Sequence, residues 1–234
     1  MIGWFDGDYL LLVMLPGLLL SGGASMLVRS AFNKYSQIGT RRGFTGAQAA
    51  QRLLDSAGIT DVEVIPTQGY LSDHYNPSNK TLALSESVYS SRSVAAVGVA
   101  CHEAGHAIQH ADSYAPLAAR SALVPVASIG SNLSYLVLFV GVIMQMQPVA
   151  IAGVLLFCAV VLFQLVTLPV EFDATARAKR LAVESGVIDA DERTGMDRVL
   201  NAAAMTYVAA LVTSLLTLAY FLIKAGLLGG RSDD

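Results

Sequence analysis

Charge is what this sequence has least of. From Ser121 to Val170 there is no Lys, Arg, Asp, Glu or His, and only 14% of the 234 residues are charged against 54% hydrophobic. An ordinary soluble domain carries about 25% charged residues, so the composition points to a chain embedded in a membrane. Cysteine is equally scarce. Cys101 and Cys158 are the only two, and the second lies inside the uncharged run, which argues against a disulfide framework. Basic blocks are missing too: the net charge is -3 and the 15 Lys and Arg residues are scattered. Nothing offers phosphate backbones a concentrated positive surface, so nucleic acid is excluded as a partner. The chain shows no internal repeat and no low-complexity segment.

Three uncharged runs are long enough to cross a bilayer, which takes about 20 apolar residues per helix. They are Tyr9 to Val28, Ser121 to Val170 and Val199 to Ile223. Gln145-Met-Gln-Pro148 interrupts the middle run near its centre. It reads as two spans joined by a tight turn, with Pro148 in the first turn of the second helix, where a missing N–H costs no intrahelical bond. Ser128, Gly130, Ser131 and Ser134 in the first of the two suit close helix packing. Four transmembrane helices are therefore expected. The head carries Asp6 and Asp8 and no positive charge, unlike the n-region of a signal peptide, so the first span reads as a retained anchor.

With four spans, residues 29–120 and 171–198 share one side of the membrane. They hold eight and five Lys or Arg residues, while the tail holds only Lys224 and Arg231 and the Gln145 turn none. Positive charge marks the cytoplasmic side, which places both pieces in the cytoplasm and the amino terminus outside. The chain divides into an anchor (1–28), a cytoplasmic α+β segment (29–120), a transmembrane hairpin (121–170), a cytoplasmic helical segment (171–198) and a last span with its tail (199–234).

Within the first cytoplasmic piece, Thr45 suits the cap of a helix with Ala49, Ala50, Leu53 and Leu54 at helical spacing, ended by Gly58. Val62-Glu-Val-Ile65 alternates up to Pro66, and Lys80-Thr-Leu-Ala-Leu84 is a second short strand after the turn-rich stretch Ser72 to Asn79. Ser91 or Ser93 then starts a helix through Val94, Val97 and Ile108. The strand at Lys80 to Leu84 leads into that helix, and as an exposed edge it would bind an extended peptide by strand addition. In the second piece a helix ends at Gly186 and another runs into the last span.

The helix beginning near Ser93 carries Val99 to Ala111, VACHEAGHAIQHA, with three of the chain's four histidines. His102-Glu103-Ala104-Gly105-His106 is an HExxH sequence. On a helix the four-residue step brings both imidazoles onto one face, where two ring nitrogens can share one zinc ion. Glu103 sits beside them, badly placed to bind the same metal but able to reach a water there, as a general base. The alternative is a polar helix face with satisfied histidines.

A catalytic zinc needs a third protein ligand. His110 is nearest in sequence, but positions 0, 4 and 8 of a straight helix span about 12 Å, so His110 is expected to cap the helix or hold a neighbour. Glu171 is the stronger candidate: it follows an apolar span and Pro169, and a carboxylate at the edge of a span is costly unless something uses it. An interfacial acid paired with Arg177 or Lys179 is the competing reading. Asp173 is turned about 200° from Glu171 on a helix, so only one of the two can face the metal. His74 and Tyr207 are weaker candidates as donors to an oxyanion, and Asn201 suits a bond between helices.

HEAGHAIQH, preceded by Lys80-Thr-Leu-Ala-Leu-Ser85 and followed by Leu168-Pro-Val-Glu-Phe-Asp-Ala174, resembles the YugP-type membrane zinc metallopeptidases, distant relatives of the HtpX-like gluzincins. The resemblance also covers Asp73-His-Tyr-Asn-Pro77 and Leu200-Asn-Ala-Ala-Ala-Met-Thr-Tyr-Val208. It implies a small α+β zincin-like metalloprotease domain on a mainly α integral membrane protein. It also implies one zinc per chain on His102, His106 and Glu171, with Glu103 as the catalytic base. HtpX-like enzymes carry an aspartate four residues after the ligand glutamate; here that position is Thr175. The expected function is hydrolysis of peptide bonds, in a peptide or a membrane-protein substrate, at the cytoplasmic face of the cell membrane. A membrane-protein partner is left open. The rival is a non-catalytic membrane adaptor or assembly factor that uses zinc to tie its pieces together.

Overall fold

The computed structural model describes residues 6–69 and 71–228; the end of the tail, with Arg231, lies outside them. Eight helices and three strands follow one another along the described residues. Helix α1 (Gly7–Tyr9) runs through a π-helical segment (Leu10–Met14) into α2 (Leu15–Tyr35). Then come α3 (Gly46–Ser56), β1 (Glu63–Thr67), β2 (His74–Asn76), β3 (Thr81–Ser85), α4 (Glu86–Tyr89) and α5 (Val94–Ala111). Three long helices complete the chain: α6 (Ala115–Ile143), α7 (Gln147–Glu184) and α8 (Arg193–Lys224). Among the described residues four helical stretches are long and apolar enough to cross a membrane, namely Gly7–Tyr35, α6, α7 and α8. The long uncharged run does break at Gln145, which takes a positive φ of 55°.

The chain forms two compact units. One holds the residues up to Gly23, Ala119–Leu168 and those from Thr206 onward. In it α6 and α7 pack closely on both sides of their turn. A Cβ on Gly141 would lie 2.4 Å from the backbone nitrogen of Ala150, and one on Gly153 would lie 2.7 Å from that of Leu138. Glycine is what permits that approach. Val13, Leu138, Val154, Tyr220 and Phe221 form its main apolar cluster, and Asp6 accepts from Tyr220 Oη at 2.5 Å and Lys224 Nζ at 2.6 Å.

The other unit comprises Ala24–Ala118 and Pro169–Met205. Its local structure follows from its sequence signals. Thr45 closes a capping box on α3: its Oγ1 accepts from Gln48 N at 3.2 Å, and Gln48 Oε1 accepts from Thr45 N at 3.0 Å. Gly58 after that helix and Gly186 after α7 take φ of 70° and 69°, a region in which residues bearing a Cβ are strained. Ser93 caps α5 by accepting from Ala96 N at 3.2 Å. Helix α5 is buried on most faces, and Val97, Cys101 and Ile108 join Leu53, Leu54, Leu82 and Met196 in one core. Burial pushes the Cys101 thiol well above its ordinary pKa, and neither cysteine forms a disulfide.

The sheet corrects three expectations. Its order is β1-β3-β2, with β1 parallel and β2 antiparallel to β3. The strand at Lys80 to Leu84 is therefore the central one and not an exposed edge. Its N–H and C=O groups are engaged on both sides, and beyond the end of β2 the Ser85 N–H donates to Asp73 Oδ1 at 2.8 Å. A peptide has no edge to join there. The stretch Ser72 to Asn79, expected as turn, contains β2. Pro66 does not end β1, which continues to Thr67; proline is tolerated because β1 lies at the sheet's edge.

Candidate metal centre

Two helices of this second unit, α5 and α7, supply the site. On α5, His102 and His106 stand one turn apart, with ring centroids 4.8 Å apart and planes at 83°. On α7, Glu171, Ala174, Thr175, Ala178 and Ala182 form one buried stripe, at the spacing of a single helix face. Small residues let that stripe come close. A Cβ added to Gly105 would lie 2.7 Å from the carbonyl oxygen of Ala174, so the glycine inside HExxH is what allows α7 to pass at this distance. Glu171 is thereby brought over the histidines.

The resulting geometry is compact. Glu171 Oε2 lies 3.2 Å from His102 Nε2 and 3.6 Å from His106 Nε2, and the ligand-type atoms of the three residues all lie within 4.8 Å of one another. A tetrahedral zinc with bonds of about 2.0–2.1 Å holds its ligand atoms about 3.4 Å apart. The observed separations straddle that value. Two imidazoles and a carboxylate are also the donor types zinc takes in catalytic sites, with a fourth position left open. The donor set fits.

Each imidazole is held from behind. His102 Nδ1 is 3.2 Å from Thr175 Oγ1, and His106 Nδ1 is 3.0 Å from Gln109 Oε1. Gln109 Nε2 donates to the Val170 carbonyl and to Asp173 Oδ2, so its Oε1 is the atom that faces His106 and accepts from it. A proton on Nδ1 leaves the Nε2 lone pair directed at Glu171 and the space beside it. Burial disfavours the charged form of His106. The hydrogen bond to Glu171 and the charge of Glu103 nevertheless outweigh burial and move its pKa above the ordinary value. The negative charges that raise it also favour a cation beside the ring. Glu103 is itself buried, at 9% exposure.

Other singled-out residues fall elsewhere. His110 is not one of the group of three and meets Tyr75 Oη at 2.8 Å, so it holds a neighbour. His74 is exposed, with Nδ1 2.8 Å from the Ser72 carbonyl oxygen. Asn201 accepts from Lys179 at 2.5 Å, a bond between α7 and α8. Tyr207 belongs to the other compact unit. The cations offered to Glu171 by sequence are used elsewhere: Arg177 pairs with Asp173 at 2.6 Å and with Asp112, and Lys179 lies 3.6 Å from Asp197. Asp173 is not turned wholly from the histidines, because it reaches α5 through Gln109. Gln109 is no part of HExxH, and Thr175 stands in the sequence only as a departure from the HtpX-like pattern. The available signal for Gln109 is its place on the helix, three residues beyond His106 and seven beyond His102, on the face that carries both histidines.

The family described as "Putative neutral zinc metallopeptidase" matches residues 10–226. A relative, "Putative membrane protease YugP" of Bacillus subtilis (strain 168), is 44% identical over 215 residues, spanning 92% of this chain and 95% of its own length. No solved structure matches the chain. The match over most of the sequence, with two histidines and a glutamate gathered at one point, leads to one conclusion: the chain belongs to the family described as "Putative neutral zinc metallopeptidase", and that family implies zinc.

Proposed function

We propose that this protein is a membrane-bound zinc endopeptidase with a zincin-like site, one zinc ion being held by His102, His106 and Glu171, and Glu103 acting as general base. The observation that carries the reading is the convergence of those three donors beside a buried carboxylate that is not one of them. When bound, zinc supplies a Lewis acid that polarises a carbonyl and brings the pKa of a water to about 7. Glu103 takes the proton from the attacking water as its oxygen bonds to the scissile carbonyl carbon. It then delivers that proton to the amide nitrogen as the C–N bond breaks, leaving an acid and an amine. Thr175 and Gln109 keep the two rings aimed throughout.

The adaptor reading accounts for the two histidines and Glu171 but gives Glu103 no task. Structural zinc sites fill four positions from the protein and favour cysteine, whereas the group here has three members and no cysteine. The test is direct. The full chain, purified in detergent, is offered casein and a mixed peptide library; cleavage is expected to stop when a chelator strips the metal and to return with added zinc. A zinc-loaded protein that cuts neither would favour the adaptor.

The site faces the cytoplasm in this reading, because positive charge is concentrated in residues 29–120 and 171–198. In a background without Cys101 and Cys158, an impermeant maleimide on intact cells is expected to spare Ser56→Cys and label Met146→Cys, both positions being exposed. Labelling at position 56 would turn the site outward.

A further inference from the structure

Gln109 has 0% exposure, and the chemistry above gives it no proton to move and no substrate to touch. A buried carboxamide is costly unless its donors and acceptor are satisfied. Packing alone does not call for one here, since α5 and α7 meet elsewhere at Gly105 and Ala174, which carry no polar side chain. What distinguishes Gln109 is where its bonds go. Its Oε1 is 3.0 Å from His106 Nδ1, while its Nε2 donates to the Val170 carbonyl at 2.9 Å and to Asp173 Oδ2 at 2.8 Å.

Turned over, the amide would set its oxygen against a carbonyl and a carboxylate, so the orientation is fixed by the network. Val170 and Asp173 bracket Glu171 on α7. One side chain thus grips the back of His106 and the backbone and side chain on either side of Glu171. The chain of contacts continues to the surface. Asp173 Oδ2 also accepts from Arg177 Nε at 2.6 Å, and Arg177 reaches Asp112, just beyond the end of α5, with its guanidinium 5.7 Å from the Tyr114 ring centre.

We propose that Gln109 is a positioning residue that couples two of the metal ligands, holding His106 in its Nδ1–H tautomer and at the same time fixing the segment of α7 that presents Glu171. It rests on reading the site as a zinc site. Removing the amide frees the ring to rotate and lets Glu171 drift, so both affinity and ligand geometry suffer even though no ligand is lost.

The experiment uses the full chain in detergent, with zinc affinity measured by competition against a chromogenic chelator and ligand geometry by the visible absorption of the cobalt(II)-substituted protein. Gln109→Met, of similar length, is expected to weaken zinc by about 10–100-fold and to shift the cobalt bands while helicity by circular dichroism stays the same. Should that variant fail to fold, Gln109→Glu decides. It keeps an acceptor for His106 but opposes Asp173 and the Val170 carbonyl, and is expected to lose zinc affinity. Adding Asp173→Asn supplies a donor to the new carboxylate and is expected to recover roughly tenfold. A merely structural residue would not show that recovery together with restored cobalt bands. Folded variants with zinc affinity within about threefold of the parent and unchanged cobalt bands would overturn the proposal, as would a double variant weaker than Gln109→Glu. A parent chain that binds no zinc is a different failure: it overturns the zinc reading itself, and this coupling with it.

Discussion

Glu103→Gln is expected to keep its zinc and lose peptide hydrolysis by roughly 10²–10⁴-fold, the range that a positioned general base contributes. The substitution keeps the size of the side chain and leaves His102, His106 and Glu171 in place, so the metal content of the purified protein stays at the parent level. What disappears is the proton acceptor. A neutral amide cannot take a proton from the attacking water or return one to the leaving nitrogen. Metal content and casein cleavage measured on the same preparation separate the two effects. Full cleavage by the mutant would remove Glu103 from the mechanism, and loss of zinc together with activity would make it a ligand.

Glu171→Ala has the larger effect on metal. Glu171 is 2% exposed and its Oε2 lies 3.2 and 3.6 Å from the two imidazole nitrogens. Removing it takes away one of three donors and the negative charge that offsets a divalent cation in a buried place. Zinc affinity is expected to fall by more than about 100-fold, beyond what loss of an outer hydrogen-bond partner causes. His110→Ala is the matched control. Its ring meets Tyr75 at 2.8 Å and not the three donors, so zinc content is expected to stay unchanged. Retention of zinc by Glu171→Ala with loss in His110→Ala would move the third ligand onto α5.

Several features were legible residue by residue because their causes are local. Thr45 and Ser93 announce the starts of α3 and α5, since a hydroxyl that satisfies free N–H groups needs only the next three residues to do so. Gly58 and Gly186 announce stops for an equally local reason. The break at Gln145 was visible as a polar interruption of an apolar run. The sheet was harder. Lys80 to Leu84 reads as a strand, but a strand's own residues do not say whether both its sides are paired. Its conversion from edge to centre depends on β2, whose three residues lie in a stretch rich in turn formers.

From the sequence alone came the membrane character, carried by uncharged runs longer than a bilayer requires, and the placing of His102 and His106 on one helix face, which the four-residue step dictates. The choice between Glu171 and Asp173 was of another kind. Position in the chain makes both available, and it is the approach of α7 to α5, allowed by Gly105 against Ala174, that sets Glu171 over the imidazoles and Asp173 against Gln109. The holding role of Thr175 was likewise decided only by tertiary structure, since its bond to His102 joins residues 73 positions apart. Gln109 lies three residues from His106 on the same helix, but which of its amide atoms faces the ring is set by its bonds to Val170 and Asp173, 61 and 64 positions away, which exist only once the two helices have packed.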